Sequence, residues 1–312
     1  MKNNDKVMAY MQDFGVFIAL ALLVVVISII SPDFRTPDNF LSLLRQSSVN
    51  GLIAFGMTCV ILTGGIDLSV GSVLALSTAV CAKMIVSGVP VGAAIILGLI
   101  MGAVLGLISG FFVTKGRLQP FIATLITMTV YRGLTMIYTN GKPISNLGDS
   151  SLLKLIGKGN ILGIPVPVIL LILIFAGFFI LLNKTTFGRR IYATGSNANC
   201  AKLAGVNINK TKIIVYMISG VMAALSGMIL LSRLGSAQPT LGTGYELDAI
   251  AAVALGGTSM NGGRGKIYGT FAGVLIIAVL NNGLNILGVS SYYQAVIKGL
   301  VILIAVLSDR KR

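Results

Sequence analysis

Several polar side chains interrupt long apolar segments of this 312-residue chain, and their chemistry is that of hydrogen bonding. Asn281 and Asn285 are four residues apart, so a helix would place both on one face with Asn282 beside them. A carboxamide both donates and accepts hydrogen bonds, which suits a neutral ligand that carries several hydroxyl groups. Asparagines that bridge neighbouring helices would explain the same pattern equally well.

Charged groups also occur within the apolar segments. Arg132 and Lys298 lie well inside two of them, and the acids that could neutralise these cations are few: Asp67, Glu246 and Asp248. Each cation could form a structural ion pair, extend to a polar surface or line a water-filled path. The candidate pathway or gating residues are Asn50, Asp67, Arg132, Asn281, Asn282, Asn285 and Lys298.

No catalytic or metal chemistry is predicted. The chain has no histidine and its three cysteines are far apart, so neither a metal site nor a disulfide framework is expected. The stretch GGTSMNGGRGK at 256–266 is glycine-rich, but a phosphate-binding loop would need glycine at Met260 and Ser or Thr at Ile267. We therefore expect no cofactor, and any ATP hydrolysis would reside on a separate subunit.

Paired glycines predict interruptions in two helices. They occur in GGIDLSVG at 64–71 and in the stretch at 256–266. Asp67 or Ser69 is expected to cap the helix that follows the first interruption, and a role of Asp67 in gating or ligand contact is the alternative. The predicted helix breaks are Gly64, Gly65, Gly256, Gly257, Gly262 and Gly263.

The elements that carry these residues are predicted to be membrane-spanning helices. The chain is 55% hydrophobic and only 11% charged, whereas soluble domains carry about 25% charged residues. We therefore predict an all-α polytopic membrane protein, a single transmembrane domain over residues 1–312 with about ten spans. The predicted spans are 14–30, 48–64, 70–87, 91–113, 120–139, 165–182, 213–232, 247–261, 267–284 and 292–308.

The basic residues predict the orientation. If both termini are cytoplasmic, most of the 24 Lys and Arg residues lie inside, including Lys2, Lys6 and residues 310–312. This bias follows the positive-inside rule and explains the net charge of +15 without a nucleic-acid partner. The first apolar run, 14–30, lacks a clear cleavage site and is predicted to be a retained span. The cations left in the outside loops are Arg35, Arg45, Lys142, Lys154, Lys158 and Arg233.

Two glycine-rich patterns predict how the spans are organised. VILTGGIDLSVGSVLAL at 60–76 resembles AVALGGTSMNGGRGKIYGTFAG at 252–273, which predicts parallel repeats over 47–117 and 241–312 unless the likeness is accidental. A glycine stripe lets another backbone approach closely, either within the chain or in a second subunit. The stripe is Gly98, Gly102, Gly106 and Gly110, with the same spacing at Gly269 and Gly273.

The stretch GSNANCAKLAGVNINKTK, residues 195–212, is hydrophilic. It belongs to a long predicted cytoplasmic segment, 184–212. Asn197 and Gly205 could cap a short helix at its two ends. Such a helix could dock into a groove on a partner, or it could be a simple amphipathic connector. The residues assigned to this docking surface are Gly195, Asn197, Ala198, Ala201, Leu203, Ala204 and Gly205.

Longer stretches of the sequence resemble the membrane permeases of bacterial ABC-type sugar importers, and most closely the ribose-importing group. The resemblance covers nearly the whole chain and is most specific from Ser236 to Gln294. The stretches that carry it include SSVNGLIAFGMTCVILTGGIDLSVGSVLAL, FGRRIYATGSNANCAKLAGVNINKTKIIVY, SAQPTLGTGYELDAIAAVALGGTSMNGGRGKIYGT and LNNGLNILGVSSYYQ.

The resemblance implies a homodimeric subunit of the bacterial cytoplasmic membrane, with two cytoplasmic ATP-binding subunits, or one with two ATPase domains, and an extracytoplasmic sugar-binding protein. It also implies that the segment from Gly195 to Gly205 couples the permease to the ATPase, although the Glu-Ala-Ala loop of many other ABC importers is absent there. D-Ribose is the expected cargo. The alternative cargoes are another monosaccharide or a ribose-like signalling sugar. The alternative class of protein is an ion-driven carrier.

Overall fold

The computed structural model describes residues 2–309, and these fold almost entirely as α-helices. The other regular elements within the described residues are a two-stranded antiparallel hairpin, β1 (Asn160–Ile161) and β2 (Ile164–Pro165), and one short 3-10 helix (Pro32–Arg35). The helices are α1 (Lys2–Ile30), α2 (Pro37–Leu62), α3 (Val70–Val86), α4 (Val91–Thr114), α5 (Pro120–Thr139), α6 (Ser151–Lys158), α7 (Val166–Lys184), α8 (Thr186–Ser196), α9 (Ala198–Leu203), α10 (Ile208–Leu234), α11 (Tyr245–Leu255), α12 (Ile267–Ile286) and α13 (Ser291–Asp309).

The predicted all-α, multi-pass fold is confirmed. Five helices in the described part, α4, α5, α7, α10 and α12, are long and apolar enough to cross a membrane by length and composition. Shorter apolar helices cover Gly15–Ile30, Val70–Val86 and Ser291–Ile304. The helices α6 and α8 lie outside the predicted spans, since both are short amphipathic segments in the polar connections.

One predicted span is wrong in length. The span predicted at 247–261 is the 11-residue helix α11, which stops at the double glycine and rises only about 16 Å. A bilayer core is about 30 Å thick, so this helix is too short to cross it alone. The prediction failed because it extended the span into the glycine-rich stretch after Leu255, whereas the backbone turns at Gly257, which has a φ of +79°.

Helix α10 is the centre of the bundle and packs against α2, α3 and α4. The predicted glycine stripe of α4 lies directly on it. Any side chain at Gly102 would overlap the Gly220 carbonyl, and any side chain at Gly106 would overlap the Tyr216 carbonyl. The stripe therefore packs within the chain. Close approach of the two backbones replaces the side-chain interdigitation of ordinary helix pairs.

The second glycine spacing, at Gly269 and Gly273 of α12, serves the same purpose against α11. A side chain at Gly269 would overlap the carbonyl of Gly256, and one at Gly273 would overlap the carbonyl of Ala252. A hydrogen bond of 2.9 Å between the hydroxyls of Thr58 and Thr270 joins α12 to α2. Helices α2, α11 and α12 therefore form a tightly packed group.

The connection between α10 and α11, residues 235–244, is an irregular segment that runs back into the bundle. It begins at the bridge between Ile144 and Ala237 and ends where Gly242 touches Gly71, at the start of α3. Irregular backbone inside a membrane protein must find its hydrogen bonds within the protein.

The Lys2 and Lys6 side chains and residues 310–312, which are predicted to be cytoplasmic, are outside the part of the chain that the structure describes. The internal repeats, 47–117 and 241–312, stay a prediction. Within the described residues the two interruptions have different geometry: after Leu62 the chain returns directly into the bundle, whereas after Leu255 it forms a longer turn before α12 begins.

The α4–α10 contact generates a stability prediction. We expect Gly102→Val to lower the free energy of unfolding by about 3 kcal/mol, because the new side chain would force two backbones apart. Gly133→Val in α5 is the matched control, since a Cβ there meets nothing within 4 Å. Thermal unfolding in detergent would measure both variants, and equal midpoints would contradict the proposed contact.

Candidate functional site

A polar cavity of about 130 Å³ opens between the helices at the ends that are predicted to face outside. Helices α2, α10, α11, α12 and α13 all contribute side chains to it, and most of these carry amide or charged groups. A second space of about 340 Å³ adjoins it and shares Tyr245, Asp248, Gln294 and Lys298. The polar residues that line the cavity are Gln46, Asn50, Arg233, Tyr245, Asp248, Asn281, Asn285, Gln294 and Lys298.

An ion pair lies in the cavity wall. The ammonium of Lys298 on α13 donates to the carboxylate of Asp248 on α11 at 3.1 Å. The Asp248 side chain is only 8% exposed, whereas that of Lys298 is 30% exposed. The carboxylate therefore depends on the ammonium for its charge balance, while the ammonium keeps some access to water.

Asn281 faces the same cavity with one polar atom unsatisfied. The residue is 4% exposed, and its carbonyl oxygen Oδ1 has no hydrogen-bond partner. The carboxylate of Asp248 lines the same cavity. Because a carbonyl oxygen only accepts hydrogen bonds, a ligand that satisfies Asn281 Oδ1 must be a donor.

Two further amides in the cavity are hydrogen-bonded to each other. Gln294 donates its NH₂ group to Asn285 Oδ1 at 2.9 Å and to the carbonyl oxygen of Val289 at 2.8 Å. These bonds link the outer end of α12 to the start of α13. Of the predicted pathway residues, the cavity thus brings together Asn50, Asn281, Asn285 and Lys298.

Three predicted pathway residues lie elsewhere, and each has its own structural partner. Asn282 exchanges two side-chain hydrogen bonds with Asn39 at the outer end of α2, of 2.7 and 3.0 Å. Arg132 donates to the carbonyl oxygens of Pro239 and Leu241 at 2.8 and 2.9 Å and so holds the irregular segment in place. Helical spacing in the sequence could not show that Asn282 and Arg132 bind structural partners and do not line the cavity.

Asp67, the third of them, is buried in a cluster of hydroxyl groups. Its carboxylate accepts from the backbone and hydroxyl of Ser69, at 3.0 and 2.6 Å, and from the hydroxyl of Ser219 at 2.8 Å. The N-cap of α3 is Ser69, whose side chain makes no capping bond. The side chain of Ser69 therefore does not cap this helix, whereas Asp67 accepts a backbone N–H at its start, as a capping residue does, and also binds the break to α10 through Ser219.

Sequence reasoning did not assign five cavity residues: Gln46, Arg233, Tyr245, Asp248 and Gln294. Asp248 was recognised only as a possible counter-ion, and the others lie near the predicted ends of spans, where polar residues are ordinary. The only available signal was the pairing of a buried acid with a buried cation, and its geometry depends on how α11 and α13 pack.

The predicted cytoplasmic helix exists as α9, and Asn197 caps it by accepting from the backbone of Cys200 at 3.0 Å. Gly205 follows with a φ of +84°. Leu203 is 89% exposed, but Ala201 is 5% exposed and faces the protein. Ala201 therefore cannot belong to a docking surface, although Ala198, Leu203 and Ala204 are exposed there.

Gly195 lies in α8, just before α9, where the end of α8 contacts both glycine breaks. A side chain on Gly195 would overlap the carbonyl oxygen of Leu62, which accepts a hydrogen bond from the backbone of Gly263 at 2.9 Å. The hydroxyl of Tyr192 donates to the carbonyl oxygen of Gly265 at 2.9 Å. The end of α8 thus contacts the ends of α2 and of the second break together, and we call this group the glycine junction.

The glycines of the two breaks are not equivalent. Gly64, Gly257, Gly262 and Gly263 have positive φ values between 73° and 85°, where a side chain would be strained. Gly256 is an ordinary right-handed residue that is required for space, because its Cβ would meet the backbone of Gly269. Gly65 is also required for space, since a Cβ there would lie 2.8 Å from the Tyr216 hydroxyl.

The fold and the polar cavity are those of a multi-pass membrane permease, and comparison with known proteins defines the family. A family model described as the branched-chain amino acid transport system permease component matches residues 39–306. The chain belongs to this permease family. No solved structure matches it.

The relatives of the chain include sugar permeases that match it over almost their full length. It is 60% identical over 302 residues to the ribose import permease protein of Bacillus subtilis, covering 97% of this chain and 94% of the relative. It is 51% identical to the ribose import permease protein of Escherichia coli K12, covering 97% and 95%. The D-allose transport system permease protein of the same strain is 41% identical, covering 96% and 92%.

The unequal exposure of the ion pair predicts unequal effects of its two single variants. We expect Lys298→Met to cost about 3 kcal/mol of stability, because it leaves the Asp248 carboxylate buried and unpaired. Asp248→Asn should cost less, since the ammonium of Lys298 can still reach water. The double variant should recover most of the loss. Unfolding measurements that place the double variant at the sum of the single losses would contradict the pairing.

Proposed function

We propose that the chain is the transmembrane subunit of an ATP-driven importer of a neutral monosaccharide. The favoured cargo is D-ribose. The observation that carries this proposal is the cavity, whose wall combines several amides with an internally neutralised ion pair. Relatives at 51% to 60% identity that are named ribose import permeases support the same cargo.

The charges in the cavity favour a sugar over an amino acid, the cargo in the family's description. A zwitterionic amino acid needs a cation for its carboxylate and an anion for its ammonium, each free to bind. Here Asp248, the one acid among the described residues of the cavity wall, already binds Lys298 at 3.1 Å, so no anion is left for an ammonium. The second cation, Arg233, donates to the carbonyl oxygen of Arg45. The amides of Asn50 and Asn281 offer donors and acceptors without net charge, as a polyol requires.

The proposed partners follow from the exposed surfaces and from the class of transporter. The chain would form a homodimer in the bacterial cytoplasmic membrane with both termini cytoplasmic, and an extracytoplasmic binding protein would deliver the sugar. Two ATP-binding subunits, or one with two ATPase domains, would bind at α9. The exposed Leu203, beside the exposed Lys202, would be its apolar anchor.

The glycine junction suggests how the ATPase would act on the cavity. Helix α9 continues directly from α8, whose end contacts Leu62 and Gly263. Helices α2 and α12, on either side of these breaks, carry Asn50 and Asn281 at the cavity. A displacement of α9 would therefore reach the cavity walls through rigid helices, and alternating access needs two such arrangements with different ligand preference.

Reconstitution tests the function directly. Radiolabelled ribose uptake would be measured in vesicles that contain this chain, the ATPase encoded beside it and the binding protein, with each component omitted in turn. We expect uptake only when all three and ATP are present. Uptake by the chain alone, abolished by an uncoupler, would overturn the proposal in favour of an ion-driven carrier.

The docking role of α9 generates a separate prediction. Leu203→Asp should reduce association with the ATPase by about tenfold or more, since it places a charge at an apolar contact. Leu162→Asp is the matched control, because Leu162 is 98% exposed in the hairpin turn, which is predicted to lie on the opposite side of the membrane. Co-purification and uptake would measure both variants, and an unchanged Leu203 variant would contradict the docking role.

A further inference from the structure

The cavity contains a buried hydrogen-bond acceptor that no protein group satisfies. Asn281 Oδ1 is buried without a hydrogen-bond partner, and Asn281 lines the cavity. Leaving such an acceptor without a partner costs about 1 to 3 kcal/mol. The Asn39–Asn282 pair, one position along the same helix, shows that the fold can satisfy an asparagine at this level. The unpaired oxygen of Asn281 is therefore a candidate ligand contact.

The size of the cavity limits the ligand. An apolar protein cavity of about 150 Å³ is known to bind benzene, a single six-membered ring. The present cavity of about 130 Å³ therefore has room for one ring, and the adjoining space accommodates its substituents. A single sugar ring therefore fits the cavity.

The chemistry of the walls indicates how a ring would be held. Asn281 Oδ1 can accept from a sugar hydroxyl, while the amide of Asn50 on α2, which lines the same cavity, can donate or accept. Beyond their mutual bond, Lys298 keeps two N–H donors and Asp248 keeps lone pairs, and both residues line the same cavity. Hydrogen bonds to charged groups are stronger than those between neutral groups, so these contacts would orient the ring.

We infer that this cavity is a monosaccharide-binding site of the permease itself, in which Asn281 Oδ1 accepts a hydrogen bond from a sugar hydroxyl. The inference rests on the proposed function and extends it. The permease would contact and select the sugar after its release from the binding protein, instead of providing only an open passage.

The absence of tryptophan from the chain gives a direct binding assay. Tyr245→Trp would place a single fluorescent reporter in the cavity wall of the full-length chain, reconstituted in lipid nanodiscs without the ATPase or the binding protein. Ribose titrated into this sample should change the tryptophan fluorescence with saturation. Glycine betaine at the same osmolality, which has no hydroxyl groups, should not.

The role of Asn281 is tested in the same reporter background. Asn281→Leu preserves the approximate size and removes the acceptor, so the dissociation constant for ribose should rise about tenfold. Asn50→Leu, on α2, should also weaken binding and provides a second test if the first variant does not fold. Asn183→Leu is the matched control, because Asn183 is exposed at the far end of α7. Thermal unfolding would establish that each variant is folded.

The outcomes separate this inference from the proposed function. The reconstituted importer could take up ribose while the reporter shows no saturable change, or while the folded Asn281→Leu variant binds ribose with unchanged affinity. Either result would overturn the binding site and leave the proposed function standing. The opposite result would be a saturable fluorescence change with ribose that needs more ribose in the Asn281→Leu variant, together with no ribose uptake by the reconstituted importer. That result would support the binding site and overturn the transport proposal.

Discussion

The structure depends on the close approach of glycine backbones in a membrane-type bundle. Between apolar helices there is no water to expel, so association depends on packing and on hydrogen bonds. Gly102 and Gly106 of α4 lie against Gly220 and Tyr216 of α10 with no space for a side chain. Since α10 also contacts α2 and α3, this contact sets the position of the first break and of the walls around the cavity.

Buried polar groups in this bundle fall into two kinds. Asp67 and Arg132 are satisfied by hydroxyls and backbone carbonyls, and each fixes an irregular segment that would otherwise have unpaired groups. The cavity residues differ because part of their hydrogen-bonding capacity remains open, most clearly at Asn281 Oδ1. Polar residues of the same type therefore stabilise the fold at one level of the bundle and remain available for a ligand at another.

The two regions proposed to act in transport are physically connected. The end of α8 touches Leu62 and Gly263, and the helices that leave these points, α2 and α12, reach the cavity and are joined by Thr58 and Thr270. Glycines with positive φ occupy the breaks, where the backbone could not follow its path with another residue. Rigid helices joined at such points provide the discrete arrangements that coupling between distant sites requires.

The sequence by itself determined the class of fold and the approximate extent of nearly all the helices, because apolar length and the glycine and proline breaks are local properties of the chain. It also determined the short capped helix α9, whose Asn197 and Gly205 signals lie within a few residues of each other. Tertiary structure decided which polar residues share the cavity. Asn281 and Asn282 are neighbours in sequence, yet one lines the cavity and the other binds Asn39, since only the packing of the helices around α12 decides what each side of that helix meets.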